Sequence, residues 1–385
     1  MVDNQLISRA IAISRFPLIV LVVLMHSAIK GDASVCPAGA ESFIYYISKI
    51  FCRIAIPCFF FISGFLFFHK KDTDKTGFYK TQFGKRARRL LIPYFLWNTI
   101  SLLERFIKTL PFVATYFPKM ARPALDLSEV VNAYGPFVFE TPDYALWPYI
   151  TASSPVNTPL WYIRDLMALI IFTPFLYRLL KGRCGVFVCV GLLYCFISGT
   201  WPMACFWFNL QGVCFFCFGA WVAINKFNLI RLFDFGKPTV ALSVWTLLLV
   251  AASVSRLLWR MSDMSMPLHA MTNLVGVPWV ITLCAEVARR GYQPSTFISN
   301  ATFFVYAFHG IMVSYVKILV IRIIQPYDTF EVIIAYFVIA FLLVVGPLML
   351  YAALIRVVPG VITLLCHGRF RMSSQCPIRA ERDLV

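Results

Sequence analysis

Residues 11–29 read IAISRFPLIVLVVLMHSAI, an apolar run broken by Arg15 and His26. At about 1.5 Å rise per residue the run covers close to 30 Å, the thickness of a bilayer's hydrocarbon core. Eleven steps separate Arg15 from His26. At about 3.6 residues per turn that is nearly three whole turns, so both side chains point to one helix face, about 16 Å apart along the axis. A cation and an imidazole are costly to insert into a membrane and are expected to face a bundle interior or a watery cavity. A basic start, a short apolar run and Ala33-Ser34-Val35 also resemble a cleavable leader. The length of the run and the spans that follow it favour a retained helix.

Composition agrees. The chain has 385 residues, 60% hydrophobic and only 14% charged, with a mean hydropathy of +0.75. Soluble domains carry about 25% charged residues. The expected fold is all-α: a polytopic membrane bundle of about ten transmembrane helices, at roughly 11–29, 44–68, 90–110, 158–179, 184–200, 205–225, 238–256, 270–287, 299–322 and 331–356. The connection after the second span carries Lys70, Lys71, Lys75, Lys80, Lys85, Arg86, Arg88 and Arg89, which marks it as cytoplasmic. Arg178/Lys181/Arg183, Lys226/Arg231/Lys237, Arg289/Arg290 and the tail cations Arg369, Arg371, Arg379 and Arg382 then fall on the same side. Both termini are therefore expected in the cytoplasm of a multi-pass protein of the cell (inner) membrane, embedded in the lipid bilayer. Residues 1–358 read as one transmembrane domain and 359–385 as a weakly ordered basic cytoplasmic tail.

The net charge of +17 suggests nucleic acid, but these charges lie between apolar spans rather than in one stripe. No nucleic-acid partner is expected. Of the twelve cysteines, most fall in apolar runs, where Cys behaves as a small hydrophobe. Cys214-Phe-Phe-Cys217 has metal-type spacing but lacks a second ligand pair, so no metal site is expected. The segment 105–157 is rich in proline, which excludes one long helix. Its Tyr116, Tyr134, Tyr144, Trp147 and Tyr149 suit an interfacial belt or a platform for sugar rings.

Further ionisable residues within spans are Arg53, Arg164, Asp165, His309 and Lys317. Adjacent helical residues diverge by about 100°, so Arg164 and Asp165 are not expected to pair with each other. Asp165 would then take Arg53, Arg15 or His26. The Lys85-Arg86-Ala87-Arg88-Arg89 run is a topology signal, a lipid contact, or a dock for a polyanion such as the bisphosphate head of coenzyme A.

With these residues in view, the chain resembles the integral-membrane acyltransferase 3 family. The resemblance is carried by Arg15-x10-His26 and by Arg53-IAIPCFFFISGFLFF, with Pro57, Phe59, Phe60, Ser63 and Gly64. It continues in Arg86-x-x-Arg89 running into Leu91-IPYFLW, in Thr158-PLWYIRDL around Trp161, and in Ser299-NATFFVYAFHG around Tyr306 and His309. It implies O-acylation, usually O-acetylation, of a cell-envelope glycan or lipid-linked saccharide acceptor, with cytoplasmic acyl-CoA (acetyl-CoA) as co-substrate and no bound cofactor. By the same resemblance, His26 is the catalytic base or acyl relay and Arg15 supports it. Arg86 and Arg89 bind the donor, and Arg53, Trp161, Arg164, Asp165, Tyr306 and His309 contribute to the substrate site. Arg53, Arg164 or His309 would steady the tetrahedral oxyanion. Ser63-Gly64 reads as a close helix contact rather than a nucleophile. A transporter or flippase for a glycan or lipid-linked precursor fits the buried charges equally well but explains less of Arg86 and Arg89. A purely structural membrane subunit explains least.

Overall fold

The computed structural model describes residues 2–29, 37–69, 77–116, 122–135, 137–140, 149–152, 154–198, 209–259 and 264–368. Lys70, Lys71, Lys75, Cys36, Cys205, Cys376, Tyr144, Trp147, the Tyr149 side chain and the arginines after Gly368 lie outside what is described.

The long helices are α1 (Val2–Ser27) and α2 (Ala38–Phe68). The basic segment after α2 ends in α3 (Phe78–Arg86), which leads into α4 (Ile92–Ile107). Then follow α5 (Trp161–Ile171), α6 (Thr173–Leu180), α7 (Arg183–Ser198) and α8 (Leu210–Ile224). The C-terminal half holds α9 (Pro238–Leu258), α10 (Ser265–Arg289), α11 (Thr296–Ile324), α12 (Thr329–Val357) and α13 (Pro359–His367). Each of the ten apolar runs is helical over most of its length. Among the described residues, six helices (α1, α2 and α9 to α12) are long and apolar enough to cross a membrane. The other four runs give shorter or broken helices: α4, the α5–α6 pair split at Phe172, α7, which bends 109° from α6, and the 15-residue α8.

Among the described residues, the structure departs from the all-helical expectation at one short ribbon. Phe137–Glu140 pairs antiparallel with Tyr149–Ala152, Phe137 opposite Ala152. The segment was expected not to form a single helix, and a short ribbon is how its backbone finds partners. A second departure is α13. The first nine residues of the expected tail form a helix, tied to α4 by the Trp97 indole donating to the Leu365 carbonyl at 3.1 Å.

Prolines shape two helices that carry site residues. Pro57 lacks the N–H that would bond the Arg53 carbonyl, and α2 passes through a π turn (Tyr46–Phe51) and a 3-10 turn (Cys52–Ile54) just before it. Pro93 likewise cannot donate to the Arg89 carbonyl, and a π turn occupies Ala87–Leu91. The tightest helix crossing joins α2 and α8. A Cβ on Gly64 would collide with the Phe216 carbonyl, and one on Gly219 with the Phe61 carbonyl. Small residues allow this approach, which agrees with the close-contact reading of Ser63-Gly64. Cys52, Cys58, Cys189, Cys214, Cys217 and Cys284 are buried among apolar side chains, as expected of small hydrophobes.

Candidate active site

The face shared by Arg15 and His26 opens onto a cavity of about 380 Å³. From α1 it is lined by Arg15, Ile19, Val22, Met25 and His26, a stripe in steps of three and four. From α11 come Ser299, Asn300, Thr302, Phe303 and Tyr306, again one face of one helix. Ile56, Phe59, Ile62, Ser63 and Leu66 of α2 and Trp161 and Tyr162 of α5 close another side. Arg86, Arg89, Cys366 and His367 also line it, with α13 packed on the Ala87–Leu91 turn, and Pro159 lines it beside Tyr306.

At the arginine end, helical spacing sorts the basic run. Arg86 and Arg89, three residues apart, turn partly inward and line the cavity, while Lys85 and Arg88 are exposed. Arg86 lies over the Phe67 ring, 5.0 Å from its centroid, a cation–π contact that orients the guanidinium. Gly368 has φ 63, and its backbone runs so near the Arg88 carbonyl that a Cβ would collide with it. That close approach brings His367 to the rim beside the arginines.

At the histidine end, His26 and His309 rings sit 5.4 Å apart. His309 is fully buried, its Nδ1 lies 3.3 Å from the Val305 carbonyl, and its Nε2 has no partner. A donating Nδ1–H leaves Nε2 with a lone pair, so His309 in this tautomer accepts rather than donates. The last turn of α1 is held by neighbours. Tyr336 donates to the Leu24 carbonyl at 3.0 Å, and Lys317 Nζ donates to the Ala28 carbonyl at 2.6 Å. The wall near Pro159 is fixed too. The Tyr306 hydroxyl donates to the Pro159 carbonyl, Asn157 Nδ2 donates to the Ala307 carbonyl at 3.0 Å, and the Asn157 N–H donates to Asn98 Oδ1 at 3.2 Å.

Of the residues singled out in the sequence, Arg15, His26, Arg86, Arg89, Trp161 and Tyr306 line this one cavity, and His309 stands behind His26. Arg53, Arg164 and Asp165 are not among its lining residues. The expectation that Arg164 and Asp165 do not pair is wrong. Arg164 Nε and Nη2 lie 2.9 and 2.8 Å from Asp165 Oδ1. Divergence by 100° applies to Cα–Cβ directions, and a long arginine stem bends far enough to bring its guanidinium back. Asp165 also accepts the Asn209 N–H, and Arg164 reaches the Gly135 carbonyl at 3.4 Å. Asp165 therefore needs neither Arg15, His26 nor Arg53.

Three lining groups escaped the sequence reading. Tyr162 shares a 3.0 Å hydrogen bond with Ser63 Oγ and donates to the Phe59 carbonyl at 3.2 Å. It lies inside the quoted WYIRD stretch, so its position was a usable signal. Asn300 was likewise inside a quoted motif. His367 follows the last long helix, and nothing local in the sequence marks it.

The family model described as an acyltransferase domain, Acyl_transf_3, matches residues 9–352, which takes in every lining residue named here except Cys366 and His367. The chain belongs to the acyltransferase 3 family. Succinoglycan biosynthesis protein ExoH of Rhizobium meliloti (strain 1021) is 25% identical over 247 residues, covering 62% of this chain and 59% of that protein. The chain thus spans about three-fifths of the length of the curated relative it matches. No solved structure matches it. Its family and its long apolar helices make it a multi-pass membrane protein.

Proposed function

We propose that this acyltransferase 3 chain is a membrane O-acyltransferase. In this reading it moves an acyl group, most simply acetyl, from cytoplasmic acyl-CoA to a hydroxyl of a cell-envelope polysaccharide or its lipid-linked precursor. The observation that carries it is the convergence of Arg15, His26, Arg86 and Arg89 on one cavity. The printed role of the relative, succinoglycan biosynthesis, supports a polysaccharide acceptor.

The donor's phosphates are assigned to Arg86 and Arg89, whose guanidinium forks suit phosphate oxygens. The apolar walls, Ile19, Val22, Phe59 and Leu66 among them, then take the pantetheine arm and point its thioester toward His26. The acceptor hydroxyl oxygen attacks the thioester carbonyl carbon as its proton passes to the neutral imidazole of His26. The tetrahedral oxyanion collapses, the carbon–sulfur bond breaks, and the departing thiolate recovers the proton. Arg15 and Asn300 on the lining offer N–H donors to the oxyanion. An acyl relay through His26 uses the same parts in two steps.

By the positive-inside rule this reading assigns the Arg86 end to the cytoplasm. The proposal therefore keeps the ten-span topology with cytoplasmic termini in the inner membrane. The donor enters beside His367, and the acceptor meets His26 from the opposite face. Purified protein in lipid, given radiolabelled acetyl-CoA and envelope glycan fractions, is expected to label glycan, and His26→Ala is expected to abolish the label. Equal labelling by both proteins would remove His26 from the reaction. Absence of label with any acyl-CoA, together with energised glycan movement across vesicles, would favour a transporter.

A further inference from the structure

A second polar cluster lies away from the cavity and has no role in the mechanism. Arg53 sits in the 3-10 turn of α2, within the Tyr46–Ile54 stretch that packs against α1 on one side and against α9 and α10 on the other. Arg256 is on the last turn of α9, and His269 and Asn273 are one turn apart near the start of α10. Arg53, Arg256 and His269 lie close enough to feel one another's charge. α10 presses onto this turn, since a Cβ on Gly276 would meet Ile54 Cγ2 at 2.6 Å.

The hydrogen bonding of the cluster is incomplete. Arg53 Nε and Arg256 Nη1 are buried donors without an acceptor, and the Ser253 hydroxyl, on the Arg256 face of α9, is buried without a partner. Asn273 Nδ2 spends itself on the His269 ring at 3.1 Å. Among the described residues neither Arg53 nor Arg256 forms an ion pair. Two neighbouring half-buried cations repel each other, and Tyr45, close to both, takes neither the Arg53 Nε–H nor the buried Arg256 Nη1 donor. The missing group that satisfies both terms is an oxyanion. The same turn packs on α1, and the charge of Arg53 reaches His26, so an anion held here stands near the His26 side of the reaction cavity.

We propose that Arg53 and Arg256, with Ser253 and His269 beside them, form an anion-binding site for the acceptor: either the phosphate of a lipid-linked saccharide or the carboxylate of an acidic sugar. This rests on the acyltransferase reading for the word acceptor, but the site itself does not depend on it. It assigns Arg53 to acceptor recognition rather than to the donor.

The test is thermal unfolding of the full chain in detergent with inorganic pyrophosphate or with glucuronate, at matched ionic strength. An Arg86→Ala/Arg89→Ala background removes the donor-side cations, so failure of the donor assignment is read separately from failure here. At a hundredfold excess over Kd the melting temperature is expected to rise by about 4 °C or more, and to lose that rise in Arg53→Gln/Arg256→Gln. Protection by pyrophosphate alone assigns the site to phosphate, and by glucuronate alone to carboxylate. Protection by neither, or protection that survives the double substitution, overturns the proposal. Without ligand, Arg256→Gln is expected to melt at the same temperature or higher, because it removes an uncompensated charge. A lower melting temperature would reveal a structural partner and overturn it as well.

Discussion

Arg164 and Arg15 are both guanidinium groups on apolar helices, and the structure treats them in opposite ways. Arg164 spends two N–H groups on Asp165, a third reaches the Gly135 carbonyl, and Asp165 is completed by the Asn209 N–H. That node ties α5 to the loop before α8 and leaves little charge over. Arg15 makes no ion pair or hydrogen bond with the described residues and faces the cavity. A buried cation satisfied by the protein is part of the framework, whereas one that faces a cavity without a protein partner is available to a ligand. Chemical type in the sequence does not separate these cases, but partners in the fold do.

If that distinction holds, substitutions on the cavity side should cost activity and spare stability. The largest effect is expected at His26. Replacing it with alanine should lower acyl transfer by about 10²–10⁴-fold, the usual contribution of a general base, with an unchanged melting temperature. An equal loss of stability would move His26 into the framework class. Next comes Arg86. Its alanine variant should weaken acyl-CoA binding by about 10–100-fold, the worth of hydrogen bonds to a charged group. Arg86→Lys should recover only part of this, because an ammonium lacks the planar fork. Binding measured by isothermal titration with a non-hydrolysable acyl-CoA analogue decides it, and full recovery by lysine would argue for plain charge attraction.

Much of this side of the comparison was legible in the sequence because it depends on helical period alone. Arg15 and His26 share a face through eleven residues of regular helix, and Arg86 and Arg89 separate from Lys85 and Arg88 by the same rule. The framework side was not legible for equally physical reasons. The Arg164–Asp165 clasp depends on the reach and bend of a side chain, which residue spacing does not encode. His367 reaches the rim only because the chain returns to α4 after α12, a long-range event anchored by Trp97. The ribbon at Phe137–Glu140 and Tyr149–Ala152 depends on which backbone groups lack a helix, and composition says only that a helix is excluded. The ten apolar runs were all found, but α6 and α7 bend by 109° between them. Hydropathy reports where a helix lies and not whether it stays straight.

The framework side predicts the reverse pattern. Asp165→Asn keeps the shape but removes the counter-charge of Arg164, so stability in detergent should fall by about 1–3 kcal/mol while the affinity for acyl-CoA stays as it was. Circular-dichroism melting beside the same titration tests both halves. A variant that melts normally but binds donor poorly would mean that Asp165 belongs with Arg15 after all.

The smallest effect concerns a third kind of carboxylate, one that faces water. Asp126 caps the short helix Leu127–Asn132, accepting the Glu129 N–H and the Ser128 hydroxyl, each at 2.7 Å. The Glu129 N–H first, and then the Ser128 hydroxyl, hold its pKa below the ordinary aspartate value. A carboxylate whose folded pKa is depressed stabilises its helix fully above the unfolded value, about 3.9. That contribution is lost as pH falls through the lower folded value. Hydrogen exchange over 127–132, corrected for intrinsic rates, should therefore show protection at pH 6 that fades toward pH 3. The measurement belongs in a Glu129→Gln background, because Glu129 is a second carboxylate on the same helix and pairs with Arg105 at 2.5 Å. Asp126→Ala should flatten the pH response while leaving acyl transfer and the Arg164–Asp165 node untouched. If protection in the unsubstituted cap is the same at both pH values, the hydrogen bonds at Asp126 do not hold the helix, and a solvent-facing carboxylate contributes nothing measurable here.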